Sequence, residues 1–309
     1  MRTAFLGTSE FAAAVLRRLA DSSHRPALVV TPPDRPKGRG RRLSSPPAAD
    51  AARELGLALH QTPDVNSRES VAALRSAEPE AIPVCAFGQL IKEPLLSDFM
   101  MLNVHPSLIP RWRGAAPIER ALMAGDRKTG MTIMRVTAGL DSGPVALAEE
   151  VPIADDDDYA SLSARLAKLG GDLLVRALDA LEAGTLEFTE QDEERAAYAE
   201  KIAPEERRLD PSGPVEQLER QVRALKSHIG AYLELEDGSR LGVHAAKADD
   251  LPAAAADSPP PGTLIAEGGR LLLVGPDGAL RLEVVQPPGG KPMPADDFLR
   301  GHAAPTKAL

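Results

Sequence analysis

The sequence contains a single cysteine, Cys85, and few aromatic residues, which make up 3% of the chain. One cysteine excludes an intramolecular disulfide and a cysteine-rich zinc site. We expect Cys85 to be a small buried side chain in a strand, because it has no basic neighbour that would activate a thiolate. With so few aromatic rings, the core must consist mainly of alanine, leucine and valine.

Long apolar runs are also missing. None approaches the roughly 20 residues that a membrane-spanning helix requires. The first residues, MRTAFLGTSEFAAAVL, lack the basic start and the long apolar segment of a secretory signal peptide. We therefore expect a cytoplasmic protein that makes no membrane contact.

Several cofactor and catalytic motifs are absent. The turn after the first predicted strand has one glycine, Gly7, where a dinucleotide fingerprint needs G-x-G-x-x-G. Neither a Walker A pattern nor a G-x-S-x-G elbow occurs. The histidines are scattered without an H-x-x-x-H pair, so we expect no metal. Four acids, residues 155–158, precede a predicted helix, where they favour a helix cap over a metal site.

What is present is an alternation of short apolar runs and helical patterns over residues 1–188. This alternation is typical of an α/β domain whose parallel sheet is covered by helices. One run contains Pro83, for which we expect an edge position or a bulge. Residues 189–207 are rich in charge and predict a linker. Residues 208–309 hold several short strand-like runs, which predict a small β-barrel, OB-like in type.

The net charge of −9 gives no overall attraction to nucleic acid, but one segment is strongly basic. Residues 31–47 read TPPDRPKGRGRRLSSPP, in which one acid stands against Arg35, Lys37, Arg39, Arg41 and Arg42. Its prolines and glycines exclude a buried element. Two interpretations stay open: a solvated loop, or an arm that binds the phosphates of a polyanion.

Residues 102–117 read LNVHPSLIPRWRGAAP, where an apolar run leads to Asn103 and His105 and then to closely spaced prolines. A second apolar run ends in the turn AGLDSG, which presents Asp141. We expect the three side chains to meet in one active site. An amide, an imidazole and a carboxylate suit acyl or formyl transfer, as oxyanion donor, proton shuttle and proton acceptor respectively. Each residue taken alone is also compatible with a structural role.

Two stretches, NVHPSLIPRWRGAAPI and GMTIMRVTAGLDSGPV, resemble the signature of the folate-dependent formyltransferases. The GTSEFA start and the TPPDRPKGRGRRL segment are similar to the branch of this family that formylates the methionyl group on initiator tRNA. The resemblance is looser in VRALKSHIGAYLELEDGSRLGVHAAKA, near the end of the chain. It implies a Rossmann-like catalytic domain over residues 1–188 and an OB-like, tRNA-binding domain over residues 208–309.

The resemblance also implies the reaction and its residues. The co-substrate 10-formyltetrahydrofolate would donate its formyl group to the amine of methionyl-initiator tRNA, in support of translation initiation. Asn103, His105 and Asp141 would be catalytic, and Arg39 would lie in an inserted loop that engages the tRNA acceptor end. Nothing indicates a dimer, so we expect a monomer. Ile109–Pro110 would be a cis peptide bond. Folate contacts are implied for Ser107, Leu108, Ile109, Pro110, Phe87 and Gly88.

Some features depart from the family pattern. Phe87 stands where the family has tyrosine, which removes a hydroxyl near the folate. From residue 206 onward the chain has 12 Lys/Arg against 15 Asp/Glu, a net of −3. RNA binding there would need a local basic stripe, such as Arg220, Arg223 and Lys226 on one helix. Two other functions stay open: a sister formyltransferase acting on a sugar nucleotide or purine precursor, and a non-catalytic RNA-binding protein.

Overall fold

A computed structural model of the chain describes residues 1–37, 42–252 and 259–309. The chain divides into two compact units, each discontinuous in sequence. Unit 1 comprises residues 1–117, 128–152 and 163–199, and unit 2 comprises residues 118–127, 153–162 and 200–309.

Unit 1 is an α/β structure. Its strands are β1 (Thr3–Gly7), β2 (Pro26–Thr31), β3 (Arg35–Lys37), β4 (Arg42–Ser44), β5 (Leu59–Gln61), β6 (Ile82–Cys85), β7 (Met101–His105), β8 (Arg113–Gly114), β9 (Lys128–Arg135), β10 (Val145–Pro152) and β11 (Tyr198–Ala199). Its helices are α1 (Glu10–Ala20), α2 (Pro47–Glu54), α3 (Arg68–Ala77) and α4 (Leu95–Asp98). Two further helices, α5 (Pro117–Ala124) and α6 (Tyr159–Glu182), contain residues of both units.

The main sheet of unit 1 has seven strands in the order β10-β9-β7-β6-β1-β2-β5. β1, β2, β5, β6 and β7 are parallel, whereas β9 and β10 are antiparallel to their neighbours. The chain moves outward from β1 in both directions, which is the doubly wound arrangement and leaves a crevice at the carboxyl ends of the strands. This confirms the predicted α/β, Rossmann-like class.

Pro83 is placed differently from the prediction. β6 is a central strand between β1 and β7, so the expected edge position is wrong. The amide of Ile82 donates to the carbonyl of Met100, on the β7 side. Successive residues of a strand direct their backbone groups to opposite neighbours, so the nitrogen of Pro83, which carries no hydrogen, faces β1. On that side Thr3 lies opposite Ala81, and pairing resumes only where Leu6 lies opposite Val84. The same offset on both sides of the gap shows that no residue is inserted, so a gap in the ladder rather than the expected bulge accommodates the proline.

Two adjacent glycines let α6 pack closely against its neighbours. A Cβ on Gly170 would lie 2.8 Å from Met131 Cε on β9 and 3.0 Å from Val104 Cγ1 on β7. One on Gly171 would lie 2.8 Å from the side chain of Arg18 on α1. The helix therefore lies directly against the strands that lead to the predicted site.

The basic segment begins and ends in a short ribbon, because β3 pairs with β4 in antiparallel register. The base of this ribbon is tied to the main sheet. Gln61 Nε2, on β5, donates to Asp34 Oδ1 at 2.9 Å, and Ser45 Oγ donates to the same oxygen at 2.8 Å. These hydrogen bonds hold the pKa of Asp34 below its usual value, so the carboxylate stays charged near neutral pH.

Unit 2 is built on an antiparallel sheet. Its strands are β12 (Ala231–Glu234), β13 (Arg240–Asp249), β14 (Leu264–Glu267), β15 (Arg270–Val274), β16 (Ala279–Gln286) and β17 (Met293–Pro294), and its helices are α7 (Val215–Leu225) and α8 (Ala295–Gly301). The order is β12-β13-β16-β15-β14, with β17 paired to β16. Buried residues of α7 recur every three or four positions, as in Val215, Leu218, Val222 and Leu225, which is the pattern of an amphipathic helix.

The end of the chain closes this sheet. Leu235, just after β12, forms a bridge with Ala308, and Thr263, just before β14, forms a bridge with Lys307. Because β12 and β14 are the two edges of the sheet, the tail joins them into a small barrel. The OB-like class is therefore confirmed, although the closing segment was not among the predicted strands.

The acidic run before α6 caps that helix, as predicted. Asp158 Oδ1 accepts a hydrogen bond from the Ser161 amide at 3.0 Å, and Ser161 Oγ accepts one from the Asp158 amide at 3.1 Å. This reciprocal pair is a capping box.

The segment 189–207, predicted as a linker, is packed rather than extended over its first part. β11 pairs in parallel with β8, and short 3₁₀ turns lie at Glu193–Arg195 and Glu205–Arg207. The domain boundaries inferred from sequence stay predictions.

The core is aliphatic, as the composition predicts, and Cys85 is fully buried within it. In the described part of the chain, no helix is both long and apolar enough to cross a membrane.

Candidate active site

The three predicted catalytic side chains meet near the carboxyl end of β7. Asn103 and His105 are two residues apart on this strand and therefore point to the same face of the sheet. Asp141 lies in the turn between β9 and β10. Asn103 Nδ2 donates to Asp141 Oδ1 at 3.1 Å, and His105 Nδ1 lies 3.7 Å from Asp141 Oδ2. The structure brings the side chains together, and their catalytic roles stay predictions.

The loop after β7 fixes the orientation of His105. Its Nε2 lies 2.9 Å from the carbonyl oxygen of Trp112. Because a carbonyl oxygen can only accept, this nitrogen carries a proton. In the neutral imidazole Nδ1 is then the basic atom, and it faces Asp141. His105 is 4% exposed, so little solvent screens its interaction with the carboxylate.

Asp141 is held in an unusual backbone conformation. Its φ is +46°, in the left-handed region, and Trp112 across the site has a φ of +66°. Such a conformation costs a tryptophan roughly 1–2 kcal/mol. The Gly114 amide donates to Asp141 Oδ2 at 2.8 Å, so the carboxylate accepts one hydrogen bond at each oxygen. Strained backbone of this kind is typical of functional sites.

The first four predicted folate residues form a stiff segment beside His105. Ser107 is buried, and its carbonyl accepts a hydrogen bond from Thr132 Oγ1, on β9, at 2.7 Å. Leu108 packs on Gly130, where a Cβ would lie 2.5 Å from Leu108 Cδ2. The Ile109–Pro110 bond is cis, as predicted. The segment is thus attached to β9 at several points, and its contact with folate stays a prediction.

The other two predicted folate residues, Phe87 and Gly88, follow β6, which pairs with β7. The Phe87 ring is buried in the hydrophobic core of unit 1, and its carbonyl accepts from Thr8 Oγ1 at 2.7 Å. Gly88 is exposed, with a φ of +77°. Any ligand contact at Phe87 would therefore involve its backbone rather than its ring.

Only part of the predicted tRNA-binding segment lies in the described residues. Arg35 is exposed on β3, and Lys37 and Arg42 lie on the paired strands β3 and β4. Arg39 and Arg41 lie outside the described residues.

The alternative basic stripe on α7 is already ion-paired within unit 2. Arg220 lies 3.5 Å from Glu216, Arg223 lies 3.7 Å from Glu219, and Lys226 lies 2.8 Å from Asp158. These ion pairs weigh against α7 as a free basic stripe, because each cation has an acidic neighbour in its own unit.

Sequence reasoning missed two residues of the site. Gln191 Nε2 donates to the carbonyl oxygens of Asp141 at 2.9 Å and Gly143 at 2.6 Å. Arg113 is 1% exposed and donates to Gln191 and to Glu193. Gln191 was missed because the charge-rich residues around it predicted a linker. The available signal was the arginine inside RWRGAAP, since a buried arginine requires a partner from elsewhere in the chain.

The site therefore combines an amide donor, an imidazole and a carboxylate, all on elements of unit 1. Within the described ranges, no three His, Cys, Asp or Glu side chains are grouped closely enough to hold a metal ion.

Comparison with known families matches both units. The formyl transferase family matches residues 1–178, and the formyl transferase C-terminal domain family matches residues 201–303. Curated relatives extend over the whole chain. A methionyl-tRNA formyltransferase from Methylococcus capsulatus is 44% identical and covers 100% of this chain and 99% of its own. A methionyl-tRNA formyltransferase from Halorhodospira halophila is 42% identical, and the match covers 97% of this chain and 96% of the relative.

Solved structures resemble the chain at the level of fold. Aquifex aeolicus HypX in complex with tetrahydrofolic acid matches with a TM-score of 0.68 and 19% identity, covering 100% of this chain and 51% of its own. A methionyl-tRNA formyltransferase from Clostridium thermocellum matches with a TM-score of 0.57 and 14% identity, and the match covers 81% of this chain and 94% of that structure. Given the full-length relatives and the two matching domain families, the chain belongs to the methionyl-tRNA formyltransferase family.

Proposed function

We propose that this chain transfers the formyl group of 10-formyltetrahydrofolate to the amino group of methionyl-initiator tRNA, and so supports translation initiation. The observation that carries the proposal is the identity of 44% to a methionyl-tRNA formyltransferase along the whole chain. The grouping of an amide, an imidazole and a carboxylate at strand ends supports the same chemistry.

Asn103 would stabilise the oxyanion. As the methionyl amine attacks the formyl carbon directly, the carbonyl oxygen becomes negative in a tetrahedral intermediate. The amide nitrogen of Asn103 carries two N–H groups, and one of them donates to Asp141. The second can point at the oxyanion, and removal of such a donor typically costs about 2.7–4 kcal/mol.

His105 and Asp141 would manage the protons. The amine must lose a proton after attack, and the folate nitrogen must gain one as its bond to the formyl carbon breaks. Nδ1 of neutral His105 is a base that can take up and return this proton. The nearby Asp141 carboxylate stabilises the imidazolium that forms, because the two groups lie 3.7 Å apart at a largely buried position. No covalent enzyme intermediate is required.

The basic segment, residues 31–47, would contact the tRNA. Clustered arginine and lysine bind phosphates without base specificity, and this segment holds the five basic residues predicted from sequence. Because the cations of α7 have acidic partners, the basic segment is the better candidate for the electrostatic share of binding. We further propose that the protein acts as a monomer in the cytoplasm, where its tRNA substrate is used.

An acceptor assay tests the proposal. With 10-formyltetrahydrofolate as donor, we expect formylation of methionyl-initiator tRNA and none of an amino-sugar nucleotide or a purine precursor amine. Preferred transfer to a small-molecule acceptor would support the sister activity, and tight tRNA binding without any transfer would support a non-catalytic RNA-binding role.

A further inference from the structure

Gln191 contacts the backbone of the turn that carries Asp141. Its Nε2 donates to the carbonyl oxygen of Asp141 at 2.9 Å and to that of Gly143 at 2.6 Å. Both N–H groups of the amide are therefore used on one turn, 50 and 48 residues away along the chain. Gln191 lies in the interval between the two family matches, which end at residue 178 and begin at residue 201.

Arg113 determines which way the Gln191 amide points. Nε and Nη2 of Arg113 lie 3.0 and 2.7 Å from Gln191 Oε1. A guanidinium has only donors and a carbonyl only accepts, so the amide oxygen must face Arg113 and its nitrogen must face the turn. The orientation thus follows from the chemistry of the neighbours on both sides.

Glu193 balances the charge of this arginine. It accepts from Nη1 and Nη2 of Arg113 at 2.8 and 2.7 Å in a bidentate pair. These hydrogen bonds raise the pKa of Arg113 and lower that of Glu193, so both groups are charged at neutral pH. The buried guanidinium is consequently a fixed anchor for Gln191.

Gly114, the residue after Arg113, binds the side-chain carboxylate of Asp141. The Gly114 amide donates to the Asp141 carboxylate at 2.8 Å, while Gln191 binds the Asp141 carbonyl. Arg113 and Gly114 form β8, which pairs with β11. β11 follows Gln191 in the chain and begins at Tyr198. Gln191 therefore holds the main chain of Asp141 and Gly114 holds its side chain, at a residue with a left-handed φ of +46°.

We propose that Gln191 is a positioning residue for formyl transfer, which keeps the Asp141 turn in the conformation that places the carboxylate beside His105 and Asn103. Arg113 and Glu193 fix its amide. This inference rests on the proposed catalytic role of Asp141.

The test compares Gln191→Met with the matched variant Gln221→Met. Gln221, in unit 2, also donates to two backbone carbonyls, at 2.7 and 3.2 Å. We expect kcat of Gln191→Met to fall by about 10–100-fold with both KM values within about 2-fold, since small displacements of reacting groups act on kcat. Gln221→Met should lower thermal stability similarly and leave kcat unchanged. Equal kcat values for Gln191→Met and wild type would overturn the inference.

A double variant separates positioning from a general structural effect. If Gln191 acts through the carboxylate, Gln191→Met added to Asp141→Asn should lower the residual rate by less than about 2-fold, because coupled residues are not additive. Losses that multiply would contradict the proposal. Wild-type activity in the same assay tests the proposed function itself.

Hydrogen exchange gives a readout independent of activity. The amides of Arg135 and Val145, which donate to the carbonyls of Pro144 and Thr189 at the base of the turn, should exchange about 10-fold faster in Gln191→Met than in wild type, whereas the Gln221→Met protein should match wild type. Unchanged exchange would overturn the inference. Should Gln191→Met fail to fold, Gln191→Glu keeps an acceptor for Arg113 and replaces the two donors by a charged oxygen that can only accept, and the same expectations apply to it.

Discussion

The two units place their polar side chains differently. Unit 1 buries polar groups at and around the candidate site, including His105, Ser107 and Arg113, and connects them by hydrogen bonds. In unit 2 the buried acids Asp157 and Glu119 have structural partners, a backbone amide just before α6 and a histidine of the same unit respectively. Buried polar groups are costly unless paired, so a protein retains them where geometry matters. The difference points to unit 1 as the site of chemistry.

The units also differ in how they are completed. The site of unit 1 depends on side chains that meet from β7, the β9–β10 turn and the segment before β11. The barrel of unit 2 depends on backbone pairing by its last residues. Side-chain changes should therefore affect activity in unit 1, and backbone changes should affect stability in unit 2.

The largest effect is expected for His105→Ala. Loss of the proton-transfer group should slow formyl transfer at least ~10²-fold. The matched variant His244→Ala removes a histidine of unit 2 that contacts Gln286, and should stay within about 2-fold of wild type. Single-turnover rates with saturating substrates measure both. Similar rates for the two variants would contradict the assignment of catalysis to His105 in unit 1.

The double variant Arg39→Gln, Arg41→Gln should raise the KM for tRNA by about 10-fold and leave the KM for folate unchanged. Each lost phosphate contact should also reduce the slope of log affinity against log salt by roughly 0.7–0.9. Arg75→Gln with Arg176→Gln, on exposed cations paired to Asp98 and Glu149, controls for net charge. An unchanged salt slope would argue against a tRNA contact by the basic segment, residues 31–47.

Gly262→Ala should destabilise unit 2. At its φ of +90° a Cβ would lie 2.5 Å from the carbonyl oxygen of Ala308, in the closing segment. Gly268→Ala is the control, since Gly268 has a φ of +57° and open space around it. We expect a loss of about 1–2 kcal/mol for Gly268→Ala from backbone strain, and a further ~1–3 kcal/mol for Gly262→Ala from the clash. Urea unfolding followed by circular dichroism measures both, and equal losses would argue against closure by the tail.

The smallest effect is expected for thiol labelling of Cys85. Burial raises the pKa of this thiol, and the side chain has no exposed surface. A thiol reagent should react only on unfolding of unit 1, and Gly262→Ala should change the labelling rate by less than about 2-fold. Labelling that accelerates with Gly262→Ala would show that the two units do not unfold independently.

Local patterns in the sequence predicted much of the fold and the three side chains of the site. Strand ends and turns are local features, so Asn103 and His105 at the end of one predicted strand and Asp141 in a turn after another could be singled out in advance. Strand direction alone does not bring Asp141 to the other two, because β9 is antiparallel to β7. Gln191 could not be singled out, because it stands in a polar segment whose contacts depend on a distant buried arginine. Pro83 and the residues that close the barrel were misjudged or missed for a related reason, since each depends on which strands become neighbours.

The most direct test of the account is the single-turnover rate of Asp141→Asn with methionyl-initiator tRNA and 10-formyltetrahydrofolate. This substitution keeps the size of the side chain and removes its charge. We expect a rate at least ~10²-fold below wild type, with an unchanged circular dichroism spectrum and KM values within a few-fold. A rate close to wild type would contradict the claim that this carboxylate, with Asn103 and His105, carries out the transfer.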